Sequence, residues 1–381
     1  MRILVVTTSP ILPPSHGGRV RTHRLAVGLV RAGASVDVLA PWAPGAPRHS
    51  VELQGVRFHS HLLPTNALPL VFHDRLVPSM VAHSWQPFAL GPRALLDRFA
   101  GYDVAQFEHA GRATWMRRTP TRLKVYASHN VEVDFLRDQP APWALRNTML
   151  RRVQALERRA VLDSDLVLAC TDGDASRLRE LYGPVSPLEV IPNGFDAELL
   201  NSDCADGTAA RRSLGIPLDA RLLLFVGSAA PHNLEAVQFL QREVLPRLDA
   251  SVHLLVVGDC GRATWEASAL AGRVHRPGRL DDLRPVFAAA DVAVNPVSTG
   301  SGSNLKLAEY LASGLPVVTT PVGLRGFEEH TAGVIVAEPN HFAAAIAGAA
   351  LHRGLRRAVQ DISWDSLARR LHGVYARLLG I

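Results

Sequence analysis

Short, nearly continuous apolar runs punctuate the chain, and each predicts a buried strand. Met1 to Thr8 is the first. Ser35 to Ala40, Asp103 to Phe107, Lys124 to Ser128 and Asp165 to Cys170 follow, and then Leu222 to Val226, Val252 to Val257, Val292 to Asn295 and Leu315 to Thr320. Segments of helical period lie between them. Arg19 to Arg31 carries Val20, Leu25, Val27, Leu29 and Val30 and stops at Gly33; Arg146 to Leu162 and Leu280 to Ala289 also read as helix. Val51 to Leu63 reads as hairpin material, and Glu198 to Asp219 is polar enough to read as a linker. Trp364 to Leu379 is amphipathic, with Leu367, Leu371, Val374, Tyr375 and Leu378 on one face. Strand and helix alternate throughout, so the pattern predicts parallel sheets covered on both faces.

The most informative stretch is Asp291 to Gly323. It reads as strand, glycine-rich loop, helix, strand. In a parallel sheet this order places the loop and the helix N-terminus at the carboxyl ends of the strands. Ser303 or Asn304 is placed to cap the helix, Leu305, Ala308, Leu311 and Ala312 share a face, and Gly314 ends it. Bare N–H groups at a helix start bind phosphate. Lys306 sits in the first turn, where a cation opposes the helix dipole unless an anion lies between it and the loop. Glu309, one turn on, is placed to accept hydroxyl hydrogen bonds, as from a ribose.

The opening βαβ unit carries Pro10, Pro13, Pro14, Gly17 and Gly18 before its helix. A dinucleotide dehydrogenase requires Gly-x-Gly-x-x-Gly there and an acid at the end of the second strand. Here the glycines are adjacent, the strand ends Leu39-Ala40-Pro41, and Asp37 lies mid-strand, so that fingerprint fails. Histidines stand at two strand ends, in Glu108-His109 and in Ser128-His129-Asn130-Val131-Glu132. His59, His61, His73 and His83 lack the acidic partners and spacing of a metal site and read as strand and surface residues. Asp163-Ser164-Asp165 reads as a helix–strand turn.

The segment GSGSNLKLAEYLASGLPVV, from Gly300 to Val318, resembles the donor-binding segment of the GT-B glycosyltransferases of family four. Pro-x-x-x-Gly-Gly near the N-terminus, Ser-His-Asn-Val-Glu, Ile191-Pro192-Asn193-Gly194 and the Ser-Trp-Asp start of the last helix resemble that family too, so the likeness covers nearly the whole chain. It implies an α/β GT-B fold, two doubly wound Rossmann-like domains facing a cleft. Residues 1–196 would form the acceptor-side domain, joined by the helix over 364–381, and residues 210–362 the nucleotide-sugar domain. It implies a retaining, metal-independent transfer from a nucleotide-diphosphate sugar (UDP or GDP) to a hydroxyl acceptor, with that sugar as co-substrate and no further cofactor. It assigns catalytic roles to His129, Lys306 and Glu309. Donor contacts are implied for Gly17, Gly18, Gly227, Ser228, Gly258, Gly278, Gly300, Ser301, Gly302, Ser303, Asn304 and Leu305. Glu108, His109 and Asn130 fall on the acceptor side. Two departures stand out. Ser301 occupies the place of the first Glu in the family's Glu-x7-Glu motif, and the loop after Val226 lacks the Arg and Lys that many relatives place against the diphosphate. A nucleotide-sugar-binding protein without catalysis, and a GT-B epimerase or phosphorylase, are the rival readings.

Composition narrows the picture. The 381 residues are 47% hydrophobic and 20% charged, a globular composition with room for two domains. No apolar run reaches the ~20 residues that span a bilayer. Cys170, Cys204 and Cys260 form no Cys-x-x-Cys pair, which suggests a reducing, cytoplasmic setting. The net charge of +6 includes two basic clusters, Arg112, Arg117, Arg118, Arg122 and Lys124, then Arg146, Arg151, Arg152, Arg158 and Arg159. These read as solvated faces or as a patch that lays the N-terminal domain against the inner face of a membrane. The arginines are not interleaved with aromatics, which argues against nucleic acid.

Overall fold

The structure is a computed structural model of the whole chain. It describes residues 1–14, 17–42, 49–61, 81, 84, 97, 99–138, 146–184, 187–199, 205–262, 270–300, 302–349 and 356–381. His73, His83, Cys204 and Ser301 lie outside these. The described residues form two compact units, Met1–Pro192 with Trp364–Ile381, and Asn193–Ser363.

The first unit is built on an eight-stranded sheet in the order β3-β4-β2-β1-β5-β6-β7-β8. Its strands are β1 (Arg2–Val6), β2 (Ser35–Pro41), β3 (Val51–Leu53), β4 (Val56–His61), β5 (Val104–Glu108), β6 (Leu123–Ala127), β7 (Leu166–Ala169) and β8 (Leu188–Val190). All pairs are parallel except β3 with β4, the hairpin that the sequence announces. The central strands β1 and β5 are buried on both faces, β1 through an unbroken apolar run after Arg2 and β5 with Gln106 and Glu108 among its buried residues. Its helices include α1 (Gly17–Arg31), α2 (Glu132–Asp138), α3 (Arg146–Asp163) and α4 (Asp172–Tyr182). Helix α1 begins two residues earlier than the apolar period indicates, so Gly17 and Gly18 form its first turn. Asp37 is buried mid-strand, where Tyr102, His59 and Arg57 bond its carboxylate. His59 is thereby an ordinary strand histidine.

The second unit is a six-stranded, wholly parallel sheet in the order β11-β10-β9-β12-β13-β14. Its strands are β9 (Arg221–Val226), β10 (Val252–Val257), β11 (Val274–Gly278), β12 (Val292–Asn295), β13 (Val317–Thr319) and β14 (Val334–Val336). Helices α5 (Gly207–Ser213), α6 (Pro231–Phe239), α7 (Arg284–Ala289), α8 (Leu305–Ser313) and α9 (Phe342–Gly348) accompany it. The polar stretch read as linker contains α5. Asp206 caps that helix at Ala209 N, and buried Arg211 bonds the carbonyls of Ala289 and Ala220 and the Asp291 carboxylate. Polarity there serves buried hydrogen bonds rather than solvent.

The last helix, α10 (Trp364–Leu379), belongs to the first unit. It packs against α1, where Gly28 lets the two backbones approach: a Cβ on Gly28 would stand 2.5 Å from Ala368 Cβ. Leu379, not Leu378, completes its buried face. Of the basic clusters, Arg112 is fully buried over the Trp115 ring and leaves the surface set. Arg151, Arg152, Arg158 and Arg159 do form an exposed stripe on α3. Cys170 and Cys260 are buried and form no disulfide among the described residues.

Candidate functional site

In the second unit the predicted donor residues gather at the carboxyl ends of β9, β10, β11 and β12. The loops there are tied by backbone bonds, Gly227 N to Val257 O at 2.9 Å and Gly258 N to Gly278 O at 2.8 Å. Gly258 has φ +101°, and a Cβ on it would meet Gly227 O at 2.3 Å, so only glycine fits. Helix α8 is locked to this end by buried Tyr310, whose hydroxyl accepts from Val226 N at 2.8 Å. Of the apolar positions expected on α8, Ala308, Leu311 and Ala312 are buried and Leu305 is half-buried; Leu307 and Tyr310 are buried as well.

The α8 start differs from expectation in one respect. Asn304 holds the N-cap backbone conformation but makes no side-chain capping bond. Ser303 Oγ instead accepts from Asn193 N at 2.7 Å, and Asn193 Nδ2 donates to Ser303 O at 2.8 Å. Asn193 therefore braces the glycine-rich loop. The first turn, uncapped by either residue, is a polar end suited to an anion. Gly300 and Gly302 both have positive φ, and Arg325 Nε donates to Gly302 O at 2.9 Å. Arg325 thus puts a guanidinium against the loop, a cation that sequence reading missed because it follows β13 by several residues.

Lys306, in the first turn of α8, is buried. Its Nζ donates to Asn233 Oδ1 and lies 4.3 Å from the Phe225 ring centroid. Asn233 Nδ2 in turn donates to Ser228 O at 3.1 Å, so this α6 residue couples the Gly227-Ser228 loop to Lys306. Burial pulls the Lys306 ammonium down to about 7, opposed by Cys260 and Glu309. Glu309 is half-buried on the same helix.

In the first unit, His129 follows β6 and Glu108 ends β5. Glu108 is buried and accepts from His129 Nε2, from Gln106 Nε2 and from Thr22 Oγ1, the last at 3.1 Å. Burial would raise its carboxyl, but the His129 and Gln106 bonds and Arg21 outweigh that and hold it ionised. Burial and the neighbouring His109 keep His129 neutral at ordinary pH. Tyr375 Oη on α10 donates to Gln106 Oε1 at 2.5 Å, so the last helix supports this site. His109 Nδ1 lies 2.7 Å from Glu132 Oε1, and the two imidazole centroids are 4.2 Å apart. Gly18 faces them: a Cβ there would sit 3.3 Å from His129 Nδ1. Gly17 has open space instead. Asn130 stands beside the pair, its carbonyl accepting from Ser128 Oγ. Thr22, Gln106, Glu132 and Tyr375 were not among the predicted site residues. Glu132 closes the Ser-His-Asn-Val-Glu segment, whereas Thr22 and Tyr375 reach partners 86 and 269 residues away, which no local pattern marks.

Two Rossmann-like parallel sheets, one with a glycine-rich loop, an uncapped helix start and a buried lysine, define the class as a GT-B glycosyltransferase. The comparisons with known proteins agree. Residues 15–199 match the family described as Glycosyltransferase Family 4, and residues 220–351 match Glycosyl transferases group 1. The chain is 29% identical to a D-inositol 3-phosphate glycosyltransferase of Xylanimonas cellulosilytica, over 98% of this chain and 96% of that one. It is 31% identical to that of Thermobispora bispora, over 73% and 71%. Among solved structures, sucrose-phosphate synthase from Thermosynechococcus elongatus superposes with a TM-score of 0.75 at 18% identity, covering 100% of this chain and 99% of that one. Anabaena HepE in complex with UDP superposes with a TM-score of 0.61 at 16% identity, covering 100% and 96%. The chain belongs to the group 1 glycosyltransferases of family 4.

Proposed function

We propose that this glycosyltransferase moves a sugar from a nucleoside-diphosphate sugar to a hydroxyl acceptor with retention at the anomeric carbon. The observation that carries the reading is the α8 start, where Gly300, Gly302, Ser303, Asn304 and Leu305 precede or open an uncapped turn that contains buried Lys306. A buried cation beside bare amides is costly alone and suited to a diphosphate. Support for UDP as the nucleotide comes from neighbours solved with UDP or with UDP-2-fluoro glucose.

In this reading the amides of the α8 start, with Lys306 and Arg325, take the charge that develops as the C1–O bond to the diphosphate breaks. Arg325 stands in for the cations missing after Val226. Glu309 accepts the ribose hydroxyls, and backbone at Gly227, Ser228, Gly258 and Gly278 lines the nucleotide. Gly17 and Gly18 offer backbone to the substrate, and His129 binds a sugar hydroxyl. The acceptor oxygen bonds C1 on the face that the diphosphate leaves, and its proton passes to the departing phosphate oxygen. No metal enters this scheme. The exposed α3 stripe of Arg151, Arg152, Arg158 and Arg159 is the candidate contact with an anionic membrane surface. Among the described residues, no helix is long and apolar enough to cross a membrane.

The test is a metal-free panel of nucleotide sugars, read by thermal stabilisation and then by release of nucleoside diphosphate. One donor should stabilise the protein and be slowly cleaved, and Glu309→Ala should abolish both effects. Stabilisation by several nucleotides with cleavage of none would refute catalysis and leave a binding protein.

A further inference from the structure

The first unit holds two histidines whose free nitrogens converge on one point. His129 Nε2 is occupied by Glu108, and His109 Nδ1 by Glu132. The remaining nitrogens are His129 Nδ1 and His109 Nε2, and the Cβ position that Gly18 lacks is 3.3 Å from the first and 4.0 Å from the second. Neither nitrogen has a hydrogen-bond partner among the described residues.

The carboxylates decide what each nitrogen offers. Glu108 is ionised and fully engaged, so His129 carries its proton on Nε2 and presents Nδ1 as a bare acceptor. For His109, burial disfavours the cation, but the charge and hydrogen bond of Glu132, with Glu108 beyond, outweigh burial and raise its pKa above the ordinary value. Below that raised pKa, with Nδ1 engaged by Glu132, Nε2 carries the second proton and is a donor. Arg21 on α1 opposes this charge but donates to the carbonyls of Ile191 and Pro192. Backbone geometry supports the assignment. His109 has φ +65° and ψ 160°, a costly conformation for a side chain with Cβ, and it aims the ring at Glu132 and His129.

We propose that His109 and His129 form a two-point clamp for a single substrate hydroxyl beside Gly18, with Glu132 and Glu108 as the positioning residues that make one nitrogen a donor and the other an acceptor. An alcohol satisfies both at once, its oxygen accepting from His109 Nε2 while its proton goes to His129 Nδ1. An ether, a deoxy position or a fluorine satisfies at most one. This rests on the proposed transferase reading and extends it: His109 becomes a specificity residue, and the carboxylates become determinants of polarity.

Two measurements test it. Imidazole nitrogen NMR of the unliganded protein at pH 6 should show His129 with Nδ1 unprotonated and His109 with both nitrogens protonated. A neutral His109, or a proton on His129 Nδ1, would overturn the clamp whether or not any sugar is transferred. Steady-state kinetics with the active donor should then show Glu132→Gln losing at least tenfold in kcat/KM at pH 6, where the parent ring is charged and burial keeps the variant's ring neutral, and losing less at pH 8. Glu108→Gln should lose activity at both values. UDP should stabilise both variants as it does the parent, which separates the clamp from nucleotide binding. An equal loss of Glu132→Gln activity at pH 6 and pH 8, with a lowered melting temperature, would mean that Glu132 is only structural. Failure of every nucleotide sugar to stabilise the parent would sink the transferase reading, while the NMR result still decides the protonation states.

Discussion

Lys306 offers the sharpest test of the donor site, because burial and function make opposite demands on its charge. The free protein holds the ammonium at about 7 instead of near 10.5. A shift of that size corresponds to about 5 kcal/mol disfavouring the charged form, net of the attraction of Cys260 and Glu309. The penalty is complete below pH 7 and is relieved as pH climbs from 7 toward 10.5, because the folded state gives up this proton before the unfolded chain does. A diphosphate reverses the balance by favouring the ammonium. Donor binding above pH 7 must then take up a proton, about 0.9 per site at pH 8, and Kd should rise roughly 50-fold between pH 7 and pH 9. A nucleotide sugar suits the measurement, since its diester phosphates do not titrate there. The assay is calorimetric titration in buffers of different ionisation enthalpy. Lys306→Met should bind more weakly at pH 7, show no linked proton, and melt higher than the parent at pH 6, with that advantage shrinking by pH 9. A Kd flat from pH 7 to 9 with no proton uptake would show that Lys306 does not meet the phosphates.

Further expectations follow from close packing and from charge. Arg325→Met should weaken nucleotide-sugar binding by about 1.5–3 kcal/mol, the range for a hydrogen bond to a charged group, and leave the melting temperature of the free protein nearly unchanged; titration calorimetry with the active donor reads the first and calorimetric melting the second. Gly258→Ala should be destabilised by more than about 2 kcal/mol in urea unfolding, since it combines strain at positive φ with contact on Gly227 O; unchanged stability would mean that the loop is free to shift. Gly28→Val should cost about 1–3 kcal/mol and expose α10 to proteolysis by driving it off α1, because the added side chain falls on Ala368.

Much of this architecture can be read from local pattern. Unbroken apolar runs such as Ile3–Val6 and Leu254–Val257 mark strands buried on both faces, because only a sheet covered twice has no polar side. Glycine-rich loops before helices mark the phosphate end, since glycine alone permits the close backbone approach. What local pattern leaves open is the identity of each polar side chain's partner. Lys306 reads as a first-turn cation, and only folding places Phe225 and Asn233 around it. Glu108 and His129 both sit at strand ends, but their bond depends on the register that sets β5 beside β6. Tyr375 reads as one apolar position on an amphipathic face, yet its hydroxyl supports Gln106 from 269 residues away. Arg112 counts as basic surface until Trp115 covers it. Periodicity reports which face of an element turns inward, so the sequence by itself determined the elements, their parallel arrangement and the candidate loop. Burial and long-range contact, which exist only in the folded chain, decided the charge states and the hydrogen-bond polarity on which the chemistry depends.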